Sequence, residues 1–255
     1  MKSKIILLTI LACWLSCSTT FARIAVSDTP VTKKILLPVK KFYVGTALDG
    51  AIFSTATIQK NTTPNIPGPT TNSVGALRFT CFLNVGFTFN FNLNRHLGIY
   101  TGIDIKNIGF IEDNAGGETV KRRSYNIGAP IGIKIGNMAV KKTYLFLGGG
   151  ADAPFNYREK TFSVRDQKTK FSEWFSQRTP SVMPYVFAGF AINHGFTLKG
   201  QYYPGNFLNP NFTTNGAKPY DGYDVHLILV SLGYAVPVKK QHDLVTKEIT
   251  HLDSQ

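Results

Sequence analysis

Cysteine is nearly absent from this chain of 255 residues, with only Cys13, Cys17 and Cys81. Two of the three fall in an apolar leader, which leaves Cys81 without a partner and excludes an intramolecular disulfide framework. Long apolar runs are missing too. Beyond the leader the longest is VFAGFAI at 186–192, far short of the roughly 18 residues that a transmembrane helix requires. Helical 3.6-residue periodicity is scarce. Charge is low at 17 %, against about 25 % in an average soluble protein. The charge present is one-sided, with 28 Lys and Arg against 15 Asp and Glu. A basic balance often points to nucleic acid, but an exported chain meets anionic lipid head groups instead.

Export is the expectation from residues 1–22. Lys2 and Lys4 precede the apolar stretch IILLTILACWL at 5–15, and SCSTTFA follows. Thr20-Phe21-Ala22 is a small-x-small cleavage site, which predicts a mature start at Arg23. The alternative is a lipoprotein cut before Cys17 or Cys13, although Trp14-Leu15-Ser16-Cys17 fits a lipobox poorly. Losing Lys2 and Lys4 with the leader lowers the net charge from +13 to +11.

What the chain has in quantity is alternation. In LRFTCFLNVGFTFNFNLN, residues 77–94, the odd positions from Leu77 to Phe91 are all apolar. The even ones are Arg, Thr, Asn and Gly, with Phe82 the exception. Period two marks a strand with two different faces. Eight such segments recur, at 41–54, 77–93, 97–110, 123–136, 143–155, 183–193, 195–204 and 223–236. The connections between them run alternately long and short. That is the signature of an antiparallel up-and-down barrel with long extracellular loops and short periplasmic turns. An even strand number leaves both ends in the periplasm. The expected organisation is a signal peptide at 1–22, an arm at 23–40, an eight-stranded outer-membrane β-barrel at 41–236 and a tail at 237–255.

A soluble, lipocalin-like ligand-binding barrel has the same alternation with its faces reversed. The polar faces separate the two. A water-facing strand surface carries many Lys, Glu and Asp; here those faces hold Gly, Asn, Thr and Tyr with isolated charges. The apolar faces of the second to fourth segments carry none, and one Lys or Arg at mid-depth in lipid costs about 2–4 kcal/mol. The apolar rows are therefore expected to face lipid. Tyr125, Tyr144, Tyr202, Tyr203, Tyr223 and Tyr234, near segment ends, are expected to form interfacial girdles.

Asp49, Asp104 and Asp152 share the inward parity with Arg78, Lys106, Lys134 and Lys199. They predict an ion network filling the lumen, with a gated polar path as the functional alternative. An eight-stranded barrel is generally too narrow for an open one. The fifth connection contains REKTFSVRDQKTKFSEWFSQR at 158–178. Its Arg158, Lys160, Arg165, Lys168, Lys170, Trp174 and Arg178 are contact candidates for lipopolysaccharide or a protein partner, against a plain solvated hairpin. Lys33, Lys34, Lys40 and Lys41 make a basic arm suited to inner-leaflet phosphates or a periplasmic partner.

No catalytic, cofactor or metal constellation emerges. A lipid-modifying enzyme would want a His and a Ser two residues apart on one face; His226 and Ser231 are five apart, hence on opposite faces. His96 and His194 have no partner at metal-ligand spacing. GGGAD at 148–152 lacks the Lys-Ser/Thr and the helix of a phosphate loop.

The succession FYVGTALDGAIFS, SYNIGAPIGIKIG, YLFLGGGADAPFNY, MPYVFAGFAINHGFTLKGQYYPG and LVSLGYAV resembles the outer-membrane β-barrel domain proteins of Bacteroidota, the PorT-like group, over residues 41–236. The resemblance implies an eight-stranded barrel behind a signal peptide and no catalytic residues; the named member assists a secretion system. A departure is the last strand, which ends in Ala235-Val236 and a tail where many such barrels stop on an aromatic. The resulting expectation is a monomeric, non-catalytic outer-membrane protein of structural or accessory role. Its partners are lipid, lipopolysaccharide or an envelope or secretion protein, not nucleic acid. The alternatives are the lipid-modifying enzyme and the soluble barrel.

Overall fold

The computed structural model describes residues 39–61, 70–114, 116–138, 143–163, 168–192 and 195–236. The leader, residues 23–38 of the arm and the tail lie outside them. Ten strands are formed: β1 Phe42–Asn61, β2 Thr70–Val74, β3 Arg78–Asn92, β4 Leu97–Asp113, β5 Thr119–Asn137, β6 Thr143–Phe162, β7 Lys168–Trp174, β8 Met183–Ala191, β9 Phe196–Tyr203 and β10 Tyr223–Val236. Eight of them pair antiparallel in the order β1-β3-β4-β5-β6-β8-β9-β10, and β10 returns to β1. The closing seam runs from Thr46↔Val236 to Lys60↔Tyr223. The sheet is thus a closed eight-stranded barrel. The two remaining strands are hairpin arms outside the ring, β2 on β1 and β7 on β6.

Closure leaves the wall with an inside and an outside, and the alternation decides which side chains take each. Phe79, Val85, Phe87 and Phe91 of β3 point outward, at 56, 52, 58 and 42 % exposure. Between them Thr80, Asn84, Asn90 and Asn92 are buried in the lumen. β4 and β5 repeat the pattern with Ile99, Ile103, Ile105, Ile127, Ile131 and Ile133 outside. Around this belt no outward position among the described residues is Asp, Glu, Lys or Arg. A surface of that kind is a lipid-facing one, and the chain is a transmembrane barrel of the outer-membrane type.

In β1 the expected alternation breaks once. A bulge between Asp49 and Ala51 shifts the register toward both neighbouring strands. The extra residue returns the chain to the same face, so Asp49 and Ile52 both end up buried.

The strands run further than the apolar alternation predicts. β1 continues to Asn61, β4 to Asp113, β5 starts at Thr119 and β6 reaches Phe162. Much of what reads as long loop is therefore paired ribbon rising above the belt. Water replaces lipid there, so the outward positions turn polar while the inward ones stay apolar or paired. The ends of β3, β5 and β8 and the starts of β4, β6 and β9 share the opposite, short-turn end with the start of β1 and the end of β10.

The tyrosines divide. Tyr202 and Tyr234 face outward at 41 and 39 %, whereas Tyr203 is 2 % exposed inside the barrel. Tyr144 packs on Phe146 in the core, and the Tyr223 hydroxyl points to Glu112. The expected girdle positions of Tyr144, Tyr203 and Tyr223 are thus corrected: at these positions strand parity directs the ring inward. Above the belt Tyr125 keeps its expected girdle position and is joined by Phe155 and Trp174, with Phe155 and Trp174 stacked at 5.9 Å.

Ile131, 65 % exposed near the middle of the belt, offers a direct check. Replacing it by Arg is expected to destabilise the barrel by about 2–4 kcal/mol. Urea titration of the folded, unboiled gel band in lipid vesicles measures the loss.

Candidate functional site

The lumen is filled in layers, and the inward face of β4 lists them from the short-turn end upward: Gly98, Tyr100, Gly102, Asp104, Lys106, Ile108, Phe110, Glu112. At the bottom the Lys134 ammonium donates to the Tyr43 hydroxyl at 3.2 Å and to the Asn90 and Asn92 carbonyl oxygens at 3.0 and 3.1 Å. It also lies 5.0 Å from the centre of the Tyr43 ring. Next come the rings of Tyr100, Phe146 and Phe187, with centroids 6.1–6.4 Å apart. Glycine makes room for them: a Cβ on Gly148 would stand 2.8 Å from the tip of Phe187.

Two ion clusters sit above the rings. Lys199 reaches Asp49 at 2.8 Å, and the Asn84 amide donates to the same carboxylate. Lys106 lies 2.9 Å from Asp152 and 3.4 Å from Asp104, with its ammonium 4.0 Å from the centre of the Tyr185 ring. Asp152 further accepts from the Tyr203 hydroxyl at 2.6 Å, and Tyr203 from Gln201 at 2.6 Å. Lys106 and Asp152 are 2 and 0 % exposed. Gly128 faces this cluster, and a Cβ there would meet Asp152 at 2.6 Å and Lys106 at 2.8 Å. A cavity of about 30 Å³ beside Asp49, Asp104 and Lys199 has room for about one water molecule.

Six of the seven charges anticipated from parity, Asp49, Asp104, Asp152, Lys106, Lys134 and Lys199, are therefore gathered in the lumen. Arg78 is buried as well, but it donates to the carbonyl oxygen of Asn107, which stands opposite Tyr125 on the outward parity of β4. Sequence reasoning missed the neutral partners, Tyr43, Asn90, Asn92, Asn107, Tyr185, Gln201 and Tyr203. Apart from Asn107, which has the outward parity of β4, their inward parity was visible; their height in the barrel was not.

Above the belt the lumen closes. The β9–β10 connection drops Phe207 and Leu208, 1 and 0 % exposed, onto Ile108 and Phe110. Phe110 and Phe207 meet edge to face at 5.5 Å. Over them Arg122 pairs with Glu112 and, at 3.2 Å, with Glu159. Burial alone would lower the Arg122 guanidinium, but Tyr157 and the two carboxylates outweigh it and hold it above its ordinary value. Burial also pushes the Tyr157 hydroxyl well up, with Tyr220 and Glu159 adding to it.

The contact candidates separate by face. Arg158, Lys160, Lys168, Lys170 and Trp174 stand on the outward face of the β6–β7 ribbon, while Arg165 lies outside the described residues. Arg178 belongs to the inner side. It is stacked 4.6 Å from both Phe171 and Phe212, and it donates to Glu173 and to the Tyr220 hydroxyl at 3.1 Å. β5 adds two cations that sequence reasoning left out, Lys121 and Arg123, directly opposite Lys160 and Arg158. The run Lys121-Arg122-Arg123 was the available signal. Arg123 most strongly, with Lys170, Lys168 and Lys121 behind it, pushes the Lys160 ammonium down.

His226 and Ser231 lie on opposite faces of β10. The imidazole faces outward, 3.1 Å from Asp224 and 6.4 Å from the Tyr202 ring, while Ser231 is buried in the lumen. GGGAD is an interior stretch of β6. Among the described residues no three His, Cys, Asp or Glu converge as metal ligands.

These features define a transmembrane barrel with a side-chain-filled, polar-centred lumen. No family model and no curated protein matches the sequence. Solved structures that resemble the fold include Ail, the attachment invasion locus protein of Yersinia pestis, 15 % identical with 75 % of this chain and 99 % of that one covered and a TM-score of 0.32. Neisserial surface protein A (NspA) is 14 % identical over 79 % of this chain and 99 % of its own, with a TM-score of 0.36. The outer membrane protease OmpT from Escherichia coli is 11 % identical over 80 and 99 %, with a TM-score of 0.34. At scores this low the likenesses carry no argument, and the architecture stands on the strand pairing.

Replacing Lys106 by Met is expected to destabilise the barrel by about 3–5 kcal/mol, because Asp152 is left buried without its cation. The double variant Lys106→Met/Asp152→Asn is expected to recover part of that loss. Unfolding midpoints of the two, compared with Asp152→Asn alone, give the coupling.

Proposed function

We propose that this chain is a non-catalytic protein of the outer membrane with a structural or accessory role, which meets lipopolysaccharide or an envelope partner through its outer rim. The observation that carries this reading is the filled lumen. Paired charges, stacked rings and the Phe207–Leu208 plug occupy the space a transported molecule would need, which leaves the rim and the outer wall as working surfaces. The separation of His226 from Ser231 supports the absence of catalysis. The resemblance to the PorT-like group belongs to this proposal, with assistance to secretion or envelope assembly as the role it suggests.

Outer membranes extracted in mild detergent test the reading. The protein is expected in that fraction, migrating differently on a gel before and after boiling. Recovery in buffer without detergent, with no such shift, would sink it. Turnover of lipid A or phospholipid by the purified protein, abolished by His226→Ala, would replace it with the enzyme.

A further inference from the structure

The outward face of the β5–β6–β7 ribbon carries cations in register. Its rows are Tyr125, Asn156 and Trp174, then Arg123, Arg158 and Ser172, then Lys121, Lys160 and Lys170, then Thr119, Phe162 and Lys168. Rows on one face of a strand are spaced by about 6.8 Å and neighbouring strands by about 4.8 Å. Six cations therefore occupy a small lattice. Among the described residues none of the six is in an ion pair with a carboxylate. The carboxylates of the same ribbon, Glu159 and Glu173, point to the other face and pair there with Arg122 and Arg178. Asp113, in register with the top row on β4, accepts from the Thr119 hydroxyl at 2.7 Å.

Like charges directly opposite across a sheet destabilise it. Here three lysines stand abreast, and two arginines stand abreast one row below. Aromatic rings take up part of the charge: Lys121 and Lys168 lie 5.1 and 5.2 Å from the centre of the Phe162 ring, and Arg158 lies 5.2 Å from that of Tyr125. Rings do not neutralise it. Height identifies the missing counter-charge. The lowest row, Tyr125 with Trp174, belongs to the aromatic girdle that ends the apolar belt. The arginine row lies one repeat above it and the lysine row two, which is the level of lipid head groups.

We propose that this ladder binds the phosphate groups of anionic lipid in the outer leaflet, held edge-on to the barrel wall by Arg123 and Arg158 and then by Lys121, Lys160 and Lys170. The inference rests on the membrane reading and names the chemistry of the contact. Guanidinium groups take phosphate oxygens in a bidentate fork, and the ammonium row follows as point charges.

The experiment folds the chain into phosphatidylcholine or phosphatidylglycerol vesicles at low salt and follows the melting midpoint by the unboiled gel band. Wild type is expected to melt about 2–4 °C higher in the anionic lipid, the shift corresponding to roughly 1 kcal/mol for a chain of this size. Lys121→Gln/Lys160→Gln/Lys170→Gln is expected to lose most of that increment. In phosphatidylcholine the same variant is expected to melt above wild type, because the repulsion is gone. Lys60→Gln/Lys218→Gln, on the same outer end but off the ladder, is expected to keep the increment. Equal wild-type midpoints in the two lipids, or a triple variant less stable than wild type in phosphatidylcholine, would overturn the ladder while leaving the barrel intact. So would an increment reproduced in full by inorganic phosphate with phosphatidylcholine. Failure to insert into any vesicle would overturn the membrane reading and the ladder with it.

Discussion

The whole structure depends on the return of β10 to β1. In lipid an unpaired backbone N–H or C=O costs several kcal/mol, and an open sheet of eight strands would present two full rows of them. Pairing from Thr46↔Val236 to Lys60↔Tyr223 removes both rows at once. Everything else answers to that closure. The outside has to be apolar because lipid surrounds it, and the inside has to be filled because eight strands enclose a space of side-chain width.

Filling such a space with a polar centre demands charge compensation. Lys106 is almost fully buried, and it is tolerable there because Asp152, Asp104 and the Tyr185 ring surround the ammonium. Such clusters seldom add much net stability. They specify height: Gly128 leaves a gap opposite Asp152, and the cluster fits in one register of β5 against β6 only. A slip of one residue would also turn every isoleucine of β5 from lipid to lumen.

The fold was legible because lipid enforces a strict rule. Where Ile99, Ile103 and Ile105 alternate with Gly98, Gly102 and Lys106, the strand, its faces and their orientation could all be read from the sequence. Above the belt that rule lapses. The stretch Thr119 to Arg122, ahead of the segment read as strand, has no outward apolar row, so its strand character came from pairing with Glu159 to Phe162, which no local pattern encodes. The inward charges were legible for the same reason as the isoleucines, by parity. Their partners were not, because whether Lys134 meets a carboxylate or the amides of Asn90 and Asn92 depends on which residues share a height around the ring.

The closing seam crosses two solvents, and its pairs differ accordingly. Mid-seam, near Ile52 and Phe53, a broken pair has nowhere to turn, whereas near Lys60 the freed amides meet water and lose little. Fraying at the top of the seam therefore stops where lipid begins. The Asn61 amide, bonded to the Gly222 carbonyl oxygen at 2.9 Å, and Gly75, bonded to Ala56 at 2.8 Å, act as stitches over that vulnerable end. At that outer end the small β1–β2 hairpin is the clasp that delays opening of the seam.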